Sequence, residues 1–90
     1  MKECDVQKKI LDYLKSKGHY VYKTIVSNKK GTPDILGCSN TGKAIAIEVK
    51  APGKKLEVTA LQMYNITEIK KLGGIALIAD SVLDVAEAGL

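Results

Sequence analysis

Val6, Ile10, Tyr13 and Leu14 recur at helical spacing, with Lys8, Asp12, Lys15 and Ser16 on the other side. The pattern predicts an amphipathic helix over residues 3–17, ended by Gly18. YVYKTIV, residues 20–26, is rich in β-branched and aromatic residues and reads as a strand. SNKKGTP follows as a loop. Two apolar segments, DILGCS (34–39) and KAIAIEVK (43–50), then flank Asn40-Thr41-Gly42 and predict a hairpin. APGKKLEV is a second loop. Thr59 with Gln62 matches a capping box, which opens a helix over 59–72 that Gly73-Gly74 ends. IALIA (75–79) is a short, wholly apolar strand, expected to be covered on both faces. Ser81 with Asp84 opens a last short helix to Ala88. The order α-β-β-β-α-β-α predicts an α/β fold with a mixed central sheet flanked by helices, its most apolar strands away from the edges.

The hairpin carries three charges in an otherwise apolar context. With period two, Ile45, Ile47 and Val49 share one face of their strand, and Ala44, Ala46, Glu48 and Lys50 share the other. A three-residue loop with glycine in the left-handed position pairs Ser39 with Lys43. Counting outward, Asp34 falls opposite Glu48. Directly opposed residues have Cβ atoms about 4.5–5.5 Å apart, and two carboxylates there repel each other strongly where water is scarce. Lys50 on the same face could compensate them, and so could a divalent cation such as magnesium or manganese, which favours hard oxygen ligands. Two plainer readings stand beside these: Asp34 as a turn residue after Pro33, and Glu48 with Lys50 as a solvated pair at a strand end.

Ninety residues make one small domain, 1–90. At 46% hydrophobic and 27% charged, the composition is that of a globular chain. No apolar run approaches a membrane span, and MKECDVQKKILDYL lacks the form of a signal peptide, so the expected location is cytoplasmic. Cys4, Cys38 and His19 are too few for a disulfide framework or a zinc site, and are expected to be buried thiols and a surface or turn histidine. The net charge is +4, and all 14 basic residues are lysine. Residues 1–30 hold eight lysines against Glu3, Asp5 and Asp12, whereas residues 61–90 hold two against four acids. The basic half suits a polyanion, though not the bidentate arginine reading of guanine.

Pro33-Asp34 and, after thirteen intervening residues, Glu48-Val49-Lys50 match the signature of the PD-(D/E)XK nucleases. The chain resembles most closely the virus-type replication-repair nuclease (VRR-NUC) domain of that superfamily, in its stand-alone, phage-type form. The resemblance is carried by Glu3 ahead of Val6-Gln7, by Gly31-Thr32-Pro33-Asp34, by Ile47-Glu48-Val49-Lys50 and by Leu61-Gln62, and covers residues 3 to 80. It implies a restriction-endonuclease-like αβββαβ core. It further implies that Asp34 and Glu48 hold a divalent metal, Mg2+ or Mn2+, with the Val49 carbonyl as a third ligand, and that Lys50 orients or deprotonates the attacking water or supports the pentavalent phosphate. Glu3, otherwise a favourable anion at a helix N-terminus, and Gln62, otherwise the partner of Thr59 in a capping box, would join the catalytic site.

Lys29 and Lys30 precede the motif, and Lys54 and Lys55 follow it, as candidate DNA-phosphate contacts that read shape rather than sequence. The reading is a metal-dependent endodeoxyribonuclease acting on branched DNA, specifically a Holliday (four-way) junction resolvase working as a homodimer through Tyr13 or through Tyr20 and Tyr22. The alternatives are a flap endonuclease or nickase of the same fold, a non-catalytic DNA-binding module, and a structural protein with a charged hairpin.

Overall fold

The computed structural model describes residues 1–25 and 27–90. Its elements are α1 (Glu3–Ser16), β1 (Tyr20–Lys23), β2 (Ile35–Cys38), β3 (Ala44–Val49), a 3-10 turn (Lys55–Glu57), α2 (Ala60–Lys71), β4 (Ile75–Ala79) and α3 (Val82–Glu87). The strands form one sheet in the order β1-β2-β3-β4. β1 with β2 and β2 with β3 are antiparallel hairpin-type pairs, and β3 with β4 is parallel. A parallel pair needs a crossover connection, which α2 supplies. The mixed sheet flanked by helices is the expected fold class and is compatible with a restriction-endonuclease-like core.

The two faces of β3 explain how the layers assemble. Ile45, Ile47 and Val49 are essentially fully buried in a cluster with Val6, Ile10 and Leu14 of α1, Ile35 of β2 and Val85 of α3. Burying each such side chain contributes about 1.5–3 kcal/mol, so this face holds most of the core. On the opposite face Ala46 packs with Ala76 and with Ile66 of α2, joined by Leu36, Ile69 and Ile78. The small alanine lets α2 lie close over β3 and β4, and thereby close to Glu48 and Lys50.

Several expectations are corrected. β4 is among the most apolar strands, yet it lies at an edge and pairs with β3 alone among the described strands. Its apolarity answers to two covered faces, α2 on one side and the α1–α3 cluster on the other, rather than to two neighbouring strands. β1 ends at Lys23, three residues short of the expected strand, and Val26 lies outside the described residues. Cys4 and Cys38 are exposed rather than buried. Cys4 lies in the first turn of α1 and Cys38 at the end of β2. His19 does lie in the turn between α1 and β1, but it is buried rather than at the surface: its Nδ1 accepts the backbone N–H of Asn40 at 3.0 Å and joins that turn to the hairpin turn.

No helix of the described residues is long and apolar enough to cross a membrane.

Candidate active site

The hairpin turn sets the register. Gly42 has φ +88°, a backbone state that L side chains rarely adopt. Ser39 N–H donates to the Lys43 carbonyl at 2.6 Å, and Ser39 Oγ accepts the Lys43 N–H at 3.0 Å. From this closure Cys38 pairs with Ala44 and Ile35 with Ile47. Asp34, one residue before β2, therefore stands one step further along, across from Glu48 within β3. The two carboxyls come close enough for a protonated Glu48 to hydrogen-bond to Asp34.

Asp34 is held through its backbone and its side chain. Thr24, just past β1, donates its N–H to the Asp34 carbonyl at 2.8 Å, and its hydroxyl meets the carbonyls of Pro33 and Asp34 at 2.8 and 3.1 Å. The carboxylate Oδ2 of Asp34 accepts the N–H of Val49 at 2.8 Å.

Glu48 is only 3% exposed. Burial pushes its carboxyl up to about 8; the hydrogen bond to Asp34 and repulsion from it add to the rise, Lys50 opposes it, and Glu3 adds a smaller push. The site thus contains a carboxyl that keeps its proton near neutrality for want of enough positive charge.

Gln62 connects the remaining parts. Its Oε1 accepts from Lys50 Nζ at 3.0 Å, and its Nε2 donates to Glu48 Oε2 at 3.2 Å. Lys50 Nζ lies 3.9 Å from the same Glu48 oxygen. Gln62 is at the same time the capping-box residue of α2: its Oε1 accepts the Thr59 N–H at 2.9 Å, and its N–H donates to Thr59 Oγ1 at 3.1 Å. The cap and the site contact, alternatives in the sequence, coexist in one side chain.

Glu3 is exposed at the start of α1, near enough for its charge to bear on Glu48. Asp5, two residues further on, accepts the Lys2 N–H at 2.9 Å and caps α1. Among the described residues no group of three or more His, Cys, Asp or Glu side chains is arranged to hold a metal; the carboxylates brought together are the pair Asp34 and Glu48.

The two lysine loops differ. Lys54 pairs with Glu57 at 3.5 Å, and Lys55 pairs with Asp84 at 3.1 Å and Asp80 at 4.0 Å. The hydrogen bond to Asp84 raises the Lys55 ammonium above its ordinary range. Lys29 and Lys30 are exposed and make no ion pair with the described acids.

Two residues that position the site were missed in the sequence. Thr24 fell inside an expected strand, where threonine is ordinary. Asn65 is buried and donates Nδ2 to the carbonyls of Lys30 and Gly31. A signal for Asn65 was present: it lies one turn from Gln62 on the inward stripe with Ile66 and Ile69, an odd place for an amide.

The fold is compatible with a restriction-endonuclease-like core, and its hairpin brings Asp34, Glu48 and Lys50 together. Over 81 residues, 90% of the chain and 85% of the relative, the sequence is 30% identical to "Putative nuclease p44" of Acyrthosiphon pisum secondary endosymbiont phage 1. The chain belongs with that protein to one nuclease family. No family model matches the chain.

Proposed function

We propose that the protein is a divalent-metal-dependent endodeoxyribonuclease of the VRR-NUC type, built to cut branched DNA and in particular four-way junctions. The observation that carries this reading is the buried Glu48, set across from Asp34 and tied through Gln62 to Lys50. The kinship with a phage protein named as a nuclease supports the same activity.

The residues fit a hard divalent cation. Two crowded carboxyls, one retaining its proton to about 8, are a place where added positive charge would replace that proton. Asp34 and Glu48, with the carbonyl of Val49, would hold magnesium or manganese. When bound, such an ion supplies charge that acidifies water and offsets charge developing on phosphate.

The chain's own residues do the rest. Gln62 fixes the carboxyl of Glu48 and the ammonium of Lys50 relative to one another. Lys50 presents Nζ beside Glu48, where it can orient or help deprotonate the attacking water, or support the pentavalent phosphate. Glu3 adds negative charge at the rim. Lys29 and Lys30, with Lys54 and Lys55, contact DNA backbone without reading sequence.

Two incisions on opposed strands need two copies of this site, so the working form is a homodimer. Tyr20 and Tyr22, both exposed and packed edge to face with ring centroids 6.4 Å apart, are a better-exposed interface candidate than the half-buried Tyr13.

The test is incubation with labelled four-way junction, flap and linear duplex in magnesium, manganese or EDTA, with light scattering of the protein alone and on junction. Paired cuts of the junction by a dimer, abolished by EDTA, are expected. Cleavage of flaps alone, or single nicks by a monomer, would replace the resolvase reading with the flap or nickase one. Tight junction binding with no cut in any metal would leave a DNA-binding module.

A further inference from the structure

We propose that Asn65 is a positioning residue for Asp34: its amide fixes the loop that delivers the first carboxylate to the site. The inference rests on the metal-dependent reading above.

Asn65 is 4% exposed, on the side of α2 that packs against the sheet. Its inward neighbours Ile66 and Ile69 are apolar, and an apolar side chain at 65 would fill the same space. A buried amide is costly unless its hydrogen bonds are made. Those of Asn65 reach across to the loop, with Nδ2 3.1 Å from the Lys30 carbonyl and 2.8 Å from the Gly31 carbonyl. Both acceptors are carbonyl oxygens, so chemistry dictates that the NH2 end faces them.

Gly31 shows how closely the loop is pressed onto the helix. It lies at φ +74°, and a Cβ there would stand 2.8 Å from Leu61 Cγ and 2.9 Å from Asn65 Nδ2. No other residue type admits this approach without displacing the helix side chains. From this clamp the chain runs through Thr32 and the φ-restricted Pro33 to Asp34. There it is clamped again, by Thr24 at the backbone and by the Val49 N–H at the carboxylate. The segment 30–34 is therefore fixed at both ends. One turn earlier on the same helix, Gln62 holds Glu48 and Lys50. A single turn of α2 thus sets both halves of the site relative to one another.

The test uses three variants of the full chain. Asn65→Leu keeps apolar packing but removes the donors, Asn65→Ala removes both, and Ile66→Val perturbs the neighbouring core without touching the loop. Mn2+ is titrated calorimetrically, and amide hydrogen exchange is followed at Thr32 and Asp34. Outer-shell partners of metal ligands are typically worth roughly 10–100-fold in affinity or activity. Asn65→Leu and Asn65→Ala should lose Mn2+ affinity by about that factor and exchange faster at Thr32 and Asp34. Ile66→Val should bind Mn2+ as the parent does, and it remains informative if Asn65→Ala folds poorly. Parental Mn2+ affinity in Asn65→Leu, or an equal loss in Ile66→Val, overturns the positioning role while leaving the nuclease reading intact. A parent protein that binds no Mn2+ overturns both.

Discussion

Asp34 Oδ2 accepts the backbone N–H of Val49 at 2.8 Å, so the first acid is fastened to the residue between the second acid and the lysine. The bond makes the choice of substitution matter. Asp34→Ala removes a carboxylate and also strands the Val49 N–H, a loss of about 1–3 kcal/mol for a buried donor. Asp34→Asn can keep the acceptor, and Glu48→Gln leaves the Asp34 bond untouched. All three should abolish metal-dependent cleavage with DNA binding largely kept, as single-turnover assays and fluorescence anisotropy would show. In thermal melts without metal near neutral pH, Asp34→Asn and Glu48→Gln should match or exceed the parent, because neither has to crowd two acids that can share only one charge. Asp34→Ala should fall below Asp34→Asn. Full cleavage activity in Glu48→Gln would remove the pair from the mechanism.

The raised Glu48 carboxyl makes a signed statement about stability. Its ordinary value is 4.5, and in the folded protein it rises to about 8. Between those values the folded state holds a proton that the unfolded state has released. Stability of the metal-free protein is then fully favoured below pH 4.5 and declines as pH rises through 8, by on the order of 1 kcal/mol per unit for this group. Glu48→Gln should flatten that decline, with its advantage over the parent growing toward pH 8–9. Urea denaturation in EDTA at half-unit steps measures it. A parent whose stability is level from pH 5 to 8, once carboxylates elsewhere are matched in the variant, would place Glu48 in an ordinary solvated environment.

The register that opposes the acids was legible in sequence because two local rules coincide. Gly42 demands a tight turn, and the period-two alternation of Ile45, Ile47 and Val49 leaves only one phase that buries them. The end caps Thr59 and Ser81 were legible for the same local reason. What failed was non-local. Whether IALIA sits inside or at an edge depends on where other strands fall, and its composition reports only that both faces are covered. Lys55 looked like a free cation because its partners Asp80 and Asp84 are more than twenty residues away and meet it only after β3 and β4 align. His19 and Asn65 were hidden likewise: each is a polar group whose burial is made tolerable by a backbone partner in a different element.

Gln62 caps α2 and bridges Glu48 to Lys50, and the two duties can be separated. Thr59→Ala weakens the cap alone and should cost about 1 kcal/mol of stability with near-parental turnover. Gln62→Ala should cost a similar amount and in addition lower kcat roughly 10–100-fold, since Lys50 Nζ and Glu48 no longer share an anchor. Lys50→Ala should lose more turnover, on the order of 10²–10⁴-fold, yet keep Mn2+ binding by calorimetry. Equal rates for Thr59→Ala and Gln62→Ala would reduce Gln62 to a cap. A collapse of Mn2+ affinity in Lys50→Ala would make that lysine a structural support.

The lysine loops should differ in how they meet DNA. Lys55 is engaged by Asp84 and Asp80, and Lys54 by Glu57, so DNA would have to displace acids to use them. Exposed pairs of this kind are weak, about 0–1 kcal/mol, but the acids remain and repel phosphate after the pairs open. Lys29 and Lys30 meet no such acid among the described residues, and their loop is held against α2 within four residues of Asp34. Each phosphate left without its lysine should reduce the slope of log affinity against log salt by roughly 0.9. Lys29→Ala with Lys30→Ala should therefore flatten the slope by about one to two units on junction and duplex alike, whereas Lys54→Ala with Lys55→Ala should change it by less than half as much. Anisotropy titrations from low to moderate salt, in EDTA to prevent cutting, give both slopes. A larger change from the second pair would put the DNA on the side of the site bordered by α3, where the acids that engage Lys55 would have to yield to phosphate.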